Sequence, residues 1–247
     1  EAMSLAGHLK LKNLVMLFDN NSISIDGPTS LAVSDNYKKR FESYGWNFIS
    51  INGHNEKEIF KALKKVQNTQ KPTVISCKTK IGYGSPNKSG KSSSHGSPLG
   101  SEEIKLVRSA LNWNYKPFEI PNKILNEWKK IGKKGQKLEN NWNKIYKKKK
   151  VIINKLLKNN FTNILKTEKQ SATKELKSLA TRKSSELTLN ALTSVNNNLI
   201  GGSADLAGSN NTKTKHHKIV KPGEFKSNYI HYGCLLYTSD AADDSLR

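Results

Sequence analysis

The segment FDNNSISIDG, residues 18–27, offers side chains well suited to chemistry: the amide oxygens of Asn20 and Asn21, followed by the carbonyls of a polar loop. These are hard, neutral oxygen donors. Magnesium takes oxygen ligands in octahedral geometry and completes its shell with substrate phosphates, so an uncharged asparagine beside a diphosphate is sound ligand chemistry. Taken alone, an Asn-Asn pair after a strand is equally a turn signal. His95 in SHGSPLG and Arg182 in ATRKSS also stand out by type. Without further context, the first reads as a surface loop histidine and the second as an exposed cation at a helix start. Cys77 and Cys234 lie far apart, with Cys77 inside an apolar run, which gives neither a disulfide framework nor a metal spacing.

These groups need elements to hold them. Residues 3–11 read as a short helix, and residues 13–18 (NLVMLF) as a continuous apolar run of the kind a buried parallel strand makes. Asp35 can cap a helix through Tyr44, Gly45 stops it, and 46–51 (WNFISI) reads as a second strand. Asn55 with Glu58 makes a capping-box-like start, and Ile59, Leu63 and Val66 recur at helical spacing before a strand from Thr73 to Cys77. Strands alternating with helices predict an α/β fold, parallel sheets flanked by helices, with function at the strand C-terminal ends. The Gly/Ser/Pro-rich stretch 79–100 is too long for an ordinary connection, which marks it as functional or disordered. Ser101 with Glu102 and Glu103 then starts a helix. Residues 121–180 are lysine-rich and helix-compatible. A new unit opens near Thr181 with a helix through Val195, an apolar Leu199-Ile200 step and GGSADLAGSN at 201–210.

The chain has 247 residues, 35% of them hydrophobic, and a formal charge of +22. That is lean in core-forming residues for one tidy globule. Of the basic residues only Arg40, Arg108, Arg182 and Arg247 are arginines. Lysine is a point charge where nucleic-acid readers favour the arginine fork, and asparagine is abundant too, so the charge reads as an AT-rich coding sequence more than as function. No apolar run approaches the roughly 18 residues of a transmembrane helix. No signal peptide opens the chain, and a reduced intracellular setting fits the cysteines.

The segments EAMSLAGHLKL, FDNNSISIDG, RFESYGW, CKTKIGYGSPNKSG, SHGSPLG, WNYKPFEIP, ATRKSS, GGSADLAGSN and NYIHYG occur in one order, and that order resembles the transketolase family from residue 1 to about Gly233. The resemblance implies thiamine diphosphate and a divalent cation, Mg2+ or Ca2+ among others, as cofactors. It implies that Asn21 gives the metal its side-chain oxygen and Ile23 its main-chain carbonyl. It places His95 at the cofactor and substrate, where imidazole exchanges a proton near neutral pH. Arg182 and Ser209 match residues that hold the substrate phosphate, the arginine fork taking two oxygens and the hydroxyl adding a donor. Asp205 matches an aspartate near the cofactor at a subunit interface. His8, His54 and His231 read as structural or surface residues.

Domains are expected as follows: 1–148, the C-terminal part of a diphosphate-binding domain; 149–178, a lysine-rich helical linker; 179–233, the start of a pyrimidine-binding domain; and 234–247, a non-native tail. The family's Gly-Asp-Gly motif, with the metal's carboxylate, is absent from this sequence. After NYIHYG the chain reads CLLYTSDAADDSLR, without the glutamate that activates the cofactor in the family. Gly208 stands where the family usually has proline and Ser22 where glycine or lysine is common, so local loop geometry there is open.

The implied function is ketol transfer from a ketose phosphate to an aldose phosphate in the non-oxidative pentose phosphate route, by a homodimer with its site at the subunit interface. The location is expected to be the cytoplasm or an organelle, with no membrane and no specific nucleic acid as partner. Alternatives are a related thiamine diphosphate enzyme such as dihydroxyacetone synthase, or a non-catalytic truncated product. A polyanion-binding module is the reading from another class, motivated by the charge and by Lys147–Lys150. Against it, the lysines spread over nearly every expected helix instead of gathering beside stacking aromatics.

Overall fold

A computed structural model describes residues 1–157, 161–175 and 178–233. The expected tail, 234–247, lies outside the described residues. Contacts divide the chain into two compact units, Ala6–Asn126 and Glu127–Arg247 with Glu1–Leu5.

The end of helix α1 (Ala2–His8) opens the first unit and leads into strand β1 (Val15–Asn20), a short antiparallel pair β2 (Ile23–Ser24) and β3 (Gly27–Pro28), helix α2 (Tyr37–Ser43), strand β4 (Asn47–Asn52), helix α3 (Glu56–Val66), strand β5 (Thr73–Lys78) and helix α4 (Ser101–Ala110). Strands β1, β5 and β4 form a parallel sheet in that order, so β5 is central. Its run Thr73–Ser76 is buried, as a strand covered on both faces must be. The core beneath α3 joins Ala62 and Val66 to Ile51 and Ile75, with Ile59, Ile49 and Val15 packed around them. Strand β1 departs from the fully buried run expected: Leu17 is 62% exposed, because no described element covers that face of the edge strand.

Helix starts follow local hydrogen-bond chemistry. Asn55 Oδ1 accepts from the amides of Lys57 and Glu58, and Glu58 Oε2 accepts from the amide of Asn52, tying α3 to the end of β4. Helix α2 is capped by Asn36, whose Oδ1 accepts from Lys39 N–H at 3.0 Å, and not by Asp35 as expected. Asp35 is engaged instead by the Arg40 guanidinium. Gly45 ends this helix at φ +81°, as the sequence predicts.

The second unit contains the rest of the long helix α5 (Asn122–Leu157), helices α6 (Thr162–Glu175) and α7 (Thr181–Val195), strand β6 (Gly201–Ser203), the short helix α8 (Ala207–Asn210) and strand β7 (Tyr229–His231). Strands β6 and β7 pair in parallel. Tyr229 is fully buried, its hydroxyl 3.0 Å from Thr212 Oγ1, and Thr193 of α7 bonds Thr214 across 2.9 Å. Strand β6 forms on a Gly-Gly-Ser sequence of poor strand propensity because the backbone needs the space: a Cβ on Gly202 would sit 2.4 Å from the Tyr232 ring.

Candidate functional site

Parallel strands β1, β4 and β5 end at one edge, where Asp19 and Asn20, Asn52 and Gly53, and Cys77 to Thr79 meet. The edge is closely knit. Gly53 N–H donates to the Lys78 carbonyl at 2.7 Å, and Asn20 Nδ2 reaches Ser76 Oγ at 3.4 Å. The Thr79 hydroxyl donates to the Asp19 carboxylate. A Cβ on Gly53 would lie 2.5 Å from Thr79 Cγ2, so the β4 and β5 ends meet only through glycine. Burial and then the Asp19 charge push the Cys77 thiol up, away from thiolate character.

From this edge the chain turns sharply. Asn21 Oδ1 accepts from Ile23 N–H at 3.0 Å, an Asx turn that fixes the amide, and Ser22 stands at φ +61°. Ile23 pairs with Pro28 across β2 and β3. Thr29 N–H donates to the Ser22 carbonyl at 3.0 Å, so Ile23 and Pro28 form a non-hydrogen-bonded pair of the antiparallel ladder, in which the Ile23 carbonyl points away from the partner strand. One turn thus holds both the Asn21 amide oxygen and the Ile23 carbonyl, the two donors expected of a metal site. Among the described residues no three His, Cys, Asp or Glu side chains gather to hold a metal. Two neutral oxygens suit a hard cation whose remaining shell comes from phosphate oxygens, so this donor set fits a diphosphate-bound divalent metal.

His95 lies in the same unit, on the loop 79–100 that leaves β5 at this edge. It is exposed, at the end of a 3-10 turn over Ser92–Ser94. The loop is tied by its own polar groups. Glu103 of α4 takes the Ser85 hydroxyl and, at 2.9 Å each, the backbone and side-chain N–H groups of Asn87, and these donors lower its carboxyl to about 2. Lys88 Nζ donates to the Leu99 carbonyl at 3.0 Å, and the Ser94 hydroxyl donates to the Lys88 carbonyl. Gly90 N–H closes on the Ile81 carbonyl at 2.8 Å. The stretch expected to be functional or disordered is therefore held together by Ser85, Asn87 and Lys88 of the CKTKIGYGSPNKSG segment and by the helix-start Glu103. The motif marks these residues, but periodicity gives no sign of the contacts they make with one another.

The other predicted residues belong to the second unit. Arg182 is exposed in the first turn of α7. Asp205, at φ +63°, and Ser209 share the segment after β6, where Ser203 Oγ accepts from Leu206 N–H at 3.2 Å. Asn21, Ile23 and His95 thus belong to one unit, and Arg182, Asp205 and Ser209 to the other.

Residues 1–169 match the family model described as transketolase, thiamine diphosphate binding domain. The chain belongs to the transketolase family. It is 38% identical to a transketolase from Rhodobacter capsulatus, over 98% of this chain and 37% of that protein. Among solved structures it resembles transketolase from Campylobacter jejuni (TM-score 0.80, 34% identity, 94% of this chain and 36% of that one). It also resembles a transketolase from Pichia stipitis in complex with sedoheptulose 7-phosphate (TM-score 0.78, 30% identity, 94% and 37%). The chain therefore spans little more than a third of the length of these transketolases. The α/β architecture read from the sequence agrees with theirs.

Proposed function

We propose that the polypeptide carrying this chain is a thiamine diphosphate-dependent transketolase, moving a two-carbon ketol unit from a ketose phosphate to an aldose phosphate in the non-oxidative pentose phosphate route. The observation that carries this reading is the turn after β1, where the Asx-fixed Asn21 oxygen and the Ile23 carbonyl, turned away from its partner strand, stand at the C-terminal edge of a parallel sheet. Open α/β sheets bind ligands at that edge. Asn21 and Ile23 would hold a divalent cation against the cofactor diphosphate. Thiamine diphosphate supplies the electron-accepting ring that takes up charge as a ketose C–C bond breaks.

The remaining roles belong to this chain's side chains. His95, exposed on a loop tied at several points, would exchange a proton with substrate oxygen near neutral pH. Arg182 and Ser209 would hold the sugar phosphate, and Asp205 would lie at the cofactor. Residues 1–148 are read as part of the diphosphate-binding domain and 179–233 as part of the pyrimidine-binding domain, joined by the linker 149–178. Since such a cofactor lies between domains of two subunits, the working assembly is a homodimer. No helix among the described residues is long and apolar enough to cross a membrane.

The test is made on the full polypeptide that carries this segment. With thiamine diphosphate and Mg2+, it is expected to convert xylulose 5-phosphate and ribose 5-phosphate to sedoheptulose 7-phosphate, and to use ribose 5-phosphate better than formaldehyde as acceptor. No transfer to either acceptor contradicts the reading, and a preference for formaldehyde replaces it with dihydroxyacetone synthesis.

A further inference from the structure

His54 follows β4 at the same sheet edge, and its Nε2 accepts a hydrogen bond from the backbone N–H of Lys80 at 2.9 Å. Its ring stacks on Tyr83, centroids 4.1 Å apart and planes within 18°. The His54 backbone N–H donates to Asn52 Oδ1 at 3.0 Å. It is the Nε2 lone pair, and not a ring N–H, that faces the loop backbone. One side chain therefore grips the first turn of the 79–100 loop twice, once by the backbone and once by a ring face.

That first turn is the surface on which the His95 end of the loop rests. The Ile81 carbonyl takes Gly90 N–H, and a Cβ on Gly90 would stand 3.2 Å from Cε of Lys80. A Cβ on Gly82 would stand 2.8 Å from Oγ of Ser94, the residue before His95. A displacement at Lys80 to Gly82 is thus passed by direct packing to Gly90 and Ser94.

We propose that His54 is a positioning residue: by accepting from Lys80 and stacking on Tyr83, it sets the loop that presents His95. The proposal deepens the ketol-transfer reading and rests on it for the role of His95, but not for the anchoring contact itself.

Three variants separate the two grips. His54→Phe keeps the stack and loses the acceptor, His54→Gln keeps an acceptor and loses the ring, and His54→Ala loses both. In the full chain, His54→Phe and His54→Ala are expected to speed hydrogen exchange at the Lys80 amide about tenfold and to shift the His95 imidazole NMR resonances. His54→Gln is expected to restore most of the Lys80 protection, while the urea midpoint stays near wild type in all three. Lys80 exchange unchanged in His54→Phe, or His95 resonances unmoved in both His54→Phe and His54→Ala, overturns the proposal. In the full polypeptide, His54→Phe is expected to lower kcat about tenfold with little change in KM for the acceptor, and His54→Gln to recover part of it. A change in KM alone overturns the positioning role. Absence of transfer in the wild type defeats the ketol-transfer reading, while the exchange and resonance measurements still decide the anchoring.

Discussion

At the scale of single residues, the account rests on side chains whose backbone or partners are unusual. Ser22 takes a left-handed conformation, φ +61°, to bring the Asn21 amide onto Ile23 N–H. Glycine adopts that region without the Cβ penalty, so Ser22→Gly is expected to leave the turn intact and raise stability by up to about 1 kcal/mol, read as a higher urea midpoint. The resemblance signalled this position, because glycine or lysine is common there in the family. Glu103 gave no such signal. Its folded carboxyl lies at about 2 against an ordinary value of 4.5, held down by Ser85 and Asn87. The network's stabilisation is therefore whole above about pH 4.5 and is lost as pH falls toward 2. Protection of the Asn87 and Lys88 amides, corrected for intrinsic exchange, is expected to follow that course. In Glu103→Gln, whose amide turns donors toward the donors of Asn87, protection should be low and flat with pH.

At the scale of elements, the strands and helices of the first unit were legible because a parallel sheet writes itself as apolar runs between amphipathic helices. Thr73–Cys77 and the Ile59, Leu63, Val66 spacing led directly to β5 and α3. What stayed hidden was the choice among competing partners. Asp35 was drawn off to Arg40, leaving the α2 cap to Asn36. Strand β6 has no apolar side chain, so only the approach of Tyr232 and Ile230 to Gly202 accounts for it. The candidate donors of the β1 turn were legible; the contacts that order the His95 loop were not, since Glu103, Ser85 and His54 meet their partners across long stretches of chain. Close approach also governs α1: a Cβ on Gly7 would stand 1.7 Å from the Tyr44 carbonyl oxygen, which backbone cannot vacate cheaply. Gly7→Ala is expected to cost about 1–3 kcal/mol, measured by urea unfolding with the Trp46 fluorescence of its neighbour as reporter.

At the scale of the whole molecule, charge and apolar surface oppose each other. Along α5, Ile124, Trp128, Ile131, Leu138, Trp142, Ile145 and Ile152 recur at coiled-coil spacing, and all are exposed, Trp128 by 69%. A contiguous apolar stripe associates unless charge repels it, and this chain carries +22. Light scattering of the purified chain is therefore expected to show growing association as salt rises from about 0.01 to 0.15 M, where the screening length shrinks from about 30 to 8 Å. Association that weakens with salt would assign it to charge pairing instead. The central claim is that the turn after β1 supplies two neutral oxygens to a diphosphate-bound cation. Its most direct test is a crystal structure of the full polypeptide carrying this segment, grown with thiamine diphosphate and Mg2+. The account predicts a magnesium ion about 2.1 Å from both Asn21 Oδ1 and the Ile23 carbonyl oxygen. A cofactor bound with its metal held by other residues, and these two oxygens still facing water, would contradict it.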